Sequence, residues 1–396
     1  MRQTIVFRGL PYTRRSTPSR NTPNRHAGLS VIWLALPALA AAAYYALAVV
    51  AAARWPRSSP SAPAPSPPVS ILKPVRGRDP RFWEAIRSHA EQPYPEFEIL
   101  FGVADAADPA LVDIRRLERE YPALPIRTHV VSTTAPNAKA GVLAELARQA
   151  RHPVLLVNDS DIRVPPGYLA AVVGPLADPE VGLVTCLYRA AAESWPARAE
   201  ALGIATEFAP SVLVARLLGV AEFALGSTMV FRSSTLAEIG GFEAIFDYLA
   251  DDYQLGSRIH QRGYHIRFAA VVVETNLGAG GWADVWRHQL RWSRTIRVSR
   301  PSGYFGYVVT HATFWAGVAL AAGHWPIALL TLALRLWAGV WTGAGILGDP
   351  KTARDFWLIP LRDLAGFAVW LAGLFGDTVD WRGQKLRLSR NGIIRS

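Results

Sequence analysis

The sequence holds a single cysteine, Cys186, in 396 residues. That excludes an intramolecular disulfide framework and a metal site built from cysteines. It also lacks zinc-finger spacing, an aromatic RNA-binding signature and a recognition-helix pattern. A formal charge of +11 therefore points away from nucleic acid as a partner. Acidic residues are scarce at the two ends, where the apolar runs gather, and nearly all the carboxylates lie between. Arginines concentrate at the start of the chain, beside the apolar runs and near the end, a distribution suited to anionic lipid head groups.

What is present reads as a soluble domain framed by membrane segments. Residues 1–28 are a basic leader without apolar periodicity, expected to be disordered. The uncharged run from Leu29 to Ala53 exceeds the length of a signal-peptide core and meets the about 20 residues a bilayer crossing needs, so a transmembrane helix is expected. Residues 54–68 form a Pro-rich linker. In 69–285, the runs VSILKPV, FEILFGVAD, IRTHVV and PVLLVND alternate with helical stretches. This predicts one α/β domain with a mostly parallel, Rossmann-like central sheet covered on both faces. An amphipathic interface helix is expected over 286–300.

Three apolar segments follow within 304–376: 304–323, 325–347 and 356–376. Arg335 interrupts the second, and Arg362 with Asp363 the third. Charges in spanning segments are costly, so the third segment is expected to be partly interfacial. The basic tail, 377–396, is expected at the membrane interface.

Ligands of an open parallel sheet bind at the carboxyl ends of its strands, which is where the carboxylates lie. Asp105 and Asp108 follow one strand, and Asp159 and Asp161 follow another in a DxD arrangement. Two carboxylates spaced in that way can share one hard cation and neutralise a diphosphate; a solvated turn is the plain alternative. Asp251 and Asp252 precede a helix-like stretch, where a carboxylate can serve as general base, as helix cap, or as both. The stretch WRHQLRWSRTIR carries Arg291 and Trp292 at a basic, aromatic surface suited to a membrane interface, to a diphosphate, or to an acceptor.

These groups, in this order, resemble the GT-A glycosyltransferases and more closely the ceramide glucosyltransferase-like family (family 21, akin to family 2). In ADAADPA the resemblance places a nucleotide aspartate at Asp108, beside Asp105. NDSDIRV matches the family's DSxIRV, with Asp159 as metal or nucleotide aspartate; Asp161 stands where the family has glycine and restores a full DxD. LADDY puts the general base on Asp252, with Asp251 on the acceptor side. The Q/RxxRW motif appears with Arg291 and Trp292 in place and His288 at its leading position. By the same resemblance Asn137, Lys139 and Lys73 contact the nucleotide sugar, and Gly226 and Ser227 lie on the acceptor side. Exposed turns, surface charge and structural glycine are their plain alternatives.

The resemblance implies an inverting hexosyltransferase using a UDP-sugar and magnesium or manganese, with a membrane lipid alcohol as acceptor. VGLVTCLYR, PSVLVAR and LRWSRTIRVSRP resemble the bacterial branch associated with hopanoid biosynthesis, which implies transfer of N-acetylglucosamine to a bacteriohopanepolyol. Ceramide glucosylation, and a non-catalytic membrane scaffold keeping the fold, remain as alternatives. The expected location is the bacterial inner membrane, multi-pass, with the catalytic domain facing the cytoplasm. The basic leader competes with that orientation, since positive charge is also held inside.

Overall fold

Runs of aliphatic and β-branched residues that are buried on both faces form the parallel half of a seven-stranded sheet in the computed structural model. The model describes residues 32–56, 66–220, 222–381 and 384–395. The leader 1–28, the first residues of the N-terminal apolar run and most of the linker lie outside the described residues. Strands β1 (Val69–Val75), β2 (Phe97–Val103), β3 (Ile126–Val130) and β4 (Val154–Val157) pair in parallel around β1. They are joined by β5 (Val181–Ala191), β6 (Met229–Arg232) and β7 (His265–Asn276) in the order β3-β2-β1-β4-β6-β5-β7. Only β6 runs antiparallel to its neighbours. The sheet is thus mixed α/β and mostly parallel. The β-branched runs of β5 and β7 carry the same strand signal as the first four, but they were not among the predicted strands.

Parallel strands point their carboxyl ends the same way, so the loops after β1 and β4 open onto one side of the sheet. The helix Ala138–Gln149 packs behind them. Its first turn is fixed by Asn137, whose Oδ1 accepts from Ala140 N at 3.1 Å while Nδ2 donates to the Tyr248 carbonyl at 2.7 Å. The cap contributes about 1 kcal/mol and ties this helix to the loop before Asp251.

Three helices are long and apolar enough to cross a membrane: Trp33–Ala53, Trp325–Ile346 and Phe356–Gly373. The segment predicted over 304–323 is not one helix. It breaks at His311 into a short helix Pro301–Gly306, a 3-10 turn and the ten-residue helix Ala312–Ala321. Ala312–Ala321 and Trp325–Val340 form a hairpin packed on the N-terminal helix through small residues: Ala38 against Ala316, Ala319 and Ala328. Tyr45 also donates to the Thr310 carbonyl at 2.7 Å.

The charges inside these apolar segments satisfy one another. Arg335 is fully buried and forks onto Asp363, Nη2 to Oδ1 at 2.6 Å and Nε to Oδ2 at 3.0 Å. Its Nη1 donates to the Thr206 carbonyl at 2.8 Å, and Thr313 donates to Asp363 at 2.8 Å. The pair locks the hairpin to the helix Ile359–Gly373.

Both ends of that last helix return to the α/β unit. Asp355, before it, pairs with Arg198 at 2.8 Å. After it, Arg294 donates to the carbonyls of Phe375 and Thr378, and Arg297 to that of Leu374 at 2.9 Å, which places cations on the helix's negative end. The tail then folds into an antiparallel sheet of β8 (Thr378–Trp381), β9 (Gln384–Leu388) and β10 (Ile394–Arg395). It docks on the loop before Asp251: Val379, Leu388 and Ile394 cluster with Leu249, Ile394 N donates to the Asp247 carbonyl at 2.7 Å, and Ile393 bridges Tyr248.

Candidate active site

A cavity of about 1040 Å³ opens at the carboxyl ends of β1 and β4 and continues between the helix Trp282–Ser299 and the apolar helices. It gathers most of the sequence-predicted residues: Lys139, Asp159, Asp161, Gly226, Ser227, Asp251, Asp252, His288, Arg291 and Trp292 all line it.

Lys139 organises the polar floor. Its ammonium bridges Asp159 Oδ1 at 2.8 Å and Asp251 Oδ2 at 2.9 Å. Burial opposes the charge on Lys139, but the two carboxylates outweigh it and hold the side chain firmly protonated. Asp252 is set apart from its neighbour. It accepts from Gly226 N at 3.0 Å and Tyr253 N at 2.7 Å, and among the described residues Lys139 pairs with Asp159 and Asp251 rather than with it. Burial and then the Asp251 charge push its carboxyl up to about 6, against the pull of Lys139. Near neutral pH Asp252 is therefore ionised and basic enough to take a proton. A Cβ at Gly226 would stand 3.3 Å from Asp252 Oδ2 and 3.6 Å from Asp159 Oδ2, so the two carboxylates face one point of the floor across a residue with no side chain.

The donor set on the other side of Asp159 suits a hard cation. Asp161 lines the cavity with one oxygen held by Thr275 Oγ1 and, at 3.3 Å, by Asn276 N. Burial and then the Asp159 charge raise its carboxyl, the mark of negative charge crowded without full compensation. Among the described residues no group of three or more His, Cys, Asp or Glu side chains is arranged to hold a metal. Two carboxylates nevertheless suffice for a magnesium or manganese ion that takes its remaining ligands from water and substrate phosphates.

Other predicted residues act at one remove. Lys73 is fully buried and donates to the Asp159 carbonyl at 3.1 Å; burial lowers it to about 7, against the pull of Asp161 and Asp159. Asn137 is buried in its capping role. Asp108 accepts from Gly77 N at 2.8 Å and Ala110 N at 2.9 Å, and Asp105 from Ala107 N at 2.8 Å; neither is among the cavity-lining residues. Asp108 instead pins the turn after β1 that carries Asp79, and Asp79 accepts a hydrogen bond from Ser160.

Several wall residues were not anticipated from the sequence. Buried Glu200 accepts from Gln289 Nε2 at 2.8 Å and pairs with His288 Nδ1 at 2.6 Å. Gln289 Oε1 accepts from Arg362 at 2.9 Å, and Arg362 stands 3.4 Å from Glu207. Spacing does not reveal this set: residues 200, 207, 288, 289 and 362 meet only through the tertiary fold. Asn158 was passed over for the same reason. It is buried, donates to the Ser227 carbonyl at 2.7 Å and so fixes the Gly226–Ser227 turn beside Asp159.

The profile of glycosyl transferase family 21 matches residues 31–394. The chain belongs to glycosyl transferase family 21. Family 21 relatives include ceramide glucosyltransferase 1 of Caenorhabditis elegans, 25% identical over 356 residues, covering 83% of this chain and 73% of that protein. Ceramide glucosyltransferase of Komagataella phaffii is 28% identical over 153 residues, 37% of this chain and 30% of that one. Among solved structures, a mannosyltransferase of Pyrobaculum calidifontis in complex with GDP-Man and Mn2+ superposes with a TM-score of 0.53 at 22% identity, covering 86% of this chain and 97% of that one. That likeness shows the GT-A fold. The family 21 chain is a glycosyltransferase.

Proposed function

We propose that the chain transfers N-acetylglucosamine from UDP-N-acetylglucosamine to a hydroxyl of a bacteriohopanepolyol, with inversion in a single displacement. The observation that carries a single displacement is the pairing of Asp159 and Asp252 across Gly226 in one cavity. Donor and base then share a floor, and the acceptor needs only to reach it.

Asp252 takes the proton of the attacking hydroxyl. Lys139 keeps Asp251 and Asp159 paired, so that the proton-accepting role falls to Asp252. Asp159 and Asp161 would hold magnesium or manganese, which supplies charge neutralisation for the departing diphosphate. Arg291, also on the cavity lining, stabilises the same negative charge, and Trp292 shapes the acceptor entrance. Lys73, Asn137, Asp105 and Asp108 act by holding the loops that present these groups. His288 orients Glu200 on the acceptor side.

The acceptor enters from a bilayer. We place the chain in a bacterial inner membrane as a multi-pass protein with the α/β unit on the cytoplasmic side, where UDP-sugars are found. The helix Ile359–Gly373 then lies along the surface, because both its flanks contact that unit. A second reading, glucosylation of ceramide, is favoured by the names of the relatives.

The test is an assay of membranes containing the chain with labelled UDP-N-acetylglucosamine and UDP-glucose against hopanoid and ceramide acceptors. Label from the first donor in a hopanoid is the expected product. Label from UDP-glucose in ceramide, with hopanoids untouched, replaces the first reading by the second.

A further inference from the structure

The far wall of the cavity carries acid where a purely apolar tunnel would suffice for a lipid chain. Glu200 and Glu207 both line it, Glu200 before a break in helical register and Glu207 within it. The helices Trp195–Gly203 and Ala209–Leu217 are joined by a π turn, Ile204–Phe208, and Glu207 belongs to that turn. A π turn widens the helix locally and re-aims side chains, and it recurs at functional sites. It is also anchored here: Arg335, from the hairpin, donates to the Thr206 carbonyl at 2.8 Å.

The two carboxylates are not equally satisfied. Glu200 Oε1 accepts from Gln289 Nε2 and contacts His288 Nδ1. Glu207 Oε1 accepts from the Tyr307 hydroxyl at 3.0 Å, but its Oε2 is buried with no hydrogen-bond donor among the described residues. Arg362 neutralises it as an ion pair at 3.4 Å while giving its own hydrogen bond to Gln289. The Glu207 side chain is 10% exposed. The Oε2 oxygen is the one facing Arg362 Nη2 at 3.4 Å; left without a hydrogen bond it costs free energy, and Glu207 is among the residues lining the cavity, from which a ligand can supply a donor. A hydroxyl is such a donor. A phosphate is not, since it brings only acceptors and negative charge.

We propose that Glu207 determines acceptor specificity: its Oε2 accepts a hydrogen bond from a hydroxyl of the lipid other than the one that attacks the sugar. The subsite therefore selects lipids with a multiply hydroxylated headgroup over simple long-chain alcohols and over phospholipids. Tyr307 and Arg362 position the carboxylate. The inference rests on reading the chain as a lipid glycosyltransferase, but its test separates the two.

The full chain in nanodiscs is titrated with a labelled long-chain alkyl ether of a linear polyol and, separately, with the matching long-chain primary alcohol; binding and sugar transfer are both read. Wild type is expected to bind the polyol ether about tenfold more tightly than the alcohol, the effect of one hydrogen bond to a buried charge. Glu207→Gln should remove that preference and raise the acceptor KM while leaving the donor KM unchanged. The thermal unfolding of Glu207→Gln, read beside that of wild type, separates a lost hydrogen bond from a lost fold. Equal binding of the two lipids by wild type, or an unchanged preference in a folded Glu207→Gln, overturns the proposal. Selective polyol binding without transfer to any lipid sinks the functional reading and leaves this one standing.

Discussion

The two ends of the cavity solve the same electrostatic problem in different ways. At the sheet end, Asp159, Asp251 and Asp252 crowd together, and one cation, Lys139, pairs with two of them. The third keeps a raised proton affinity as a result. At the membrane end, Glu200 and Glu207 are each served by donors from a different helix, and the deeper Asp363 by an arginine with a bidentate grip. The first arrangement leaves a base in reserve. The second fixes a wall, with one oxygen left over.

Three changes separate these arrangements, beginning with the largest effect. Asp252→Asn removes the proposed base while keeping its size, and transfer should fall by about a thousandfold, within the range that general bases contribute. Initial rates at saturating donor check this; a loss below tenfold would mean the proton goes elsewhere.

Next, Arg335→Leu strands Asp363 in an apolar setting and should destabilise the fold by about 3–5 kcal/mol. The double change Arg335→Leu with Asp363→Leu should recover most of that loss, because it leaves no orphan charge. Thermal unfolding in detergent reads both, and a double variant no better than the single one would show that the pair itself is favourable.

The mildest effect is in pH. Since the Asp252 carboxyl lies near 6, its basic form is lost as pH falls through that value. The rate should drop about tenfold per unit below it and level off above. The residual activity of Asp252→Asn should lack this limb. A wild-type profile flat down to pH 5 would assign the base to a group with a lower pKa.

Legibility in the sequence follows the same division. At the sheet end, strand runs ending in carboxylates announced both the parallel sheet and the cavity floor, because a strand and the loop that ends it are neighbours in sequence. Asp159 and Asp161 lie where that logic put them, and Asp251 and Asp252, read from the sequence as the start of a helix, join them there. Asp105 and Asp108 have the same sequence appearance, yet their carboxylates close turns on backbone amides. Sequence position alone does not tell a ligand from a turn cap. Glu200 and Glu207 were invisible for a plainer reason: each looks like an ordinary charged residue on a helix until the helices are packed. The apolar breaks at Arg335 and Asp363 were legible as anomalies, but their solution, each other, was not.

The docking of β8–β10 on the loop before Asp251 bears on how the protein is made. The strand that completes that loop lies, along the chain, beyond every apolar helix. The loop leading into Asp251 and Asp252 therefore gains its last support from chain that follows those helices. A chain whose hairpin is inserted wrongly keeps its β10 from Tyr248, and biosynthesis thereby ties the readiness of the active site to correct insertion.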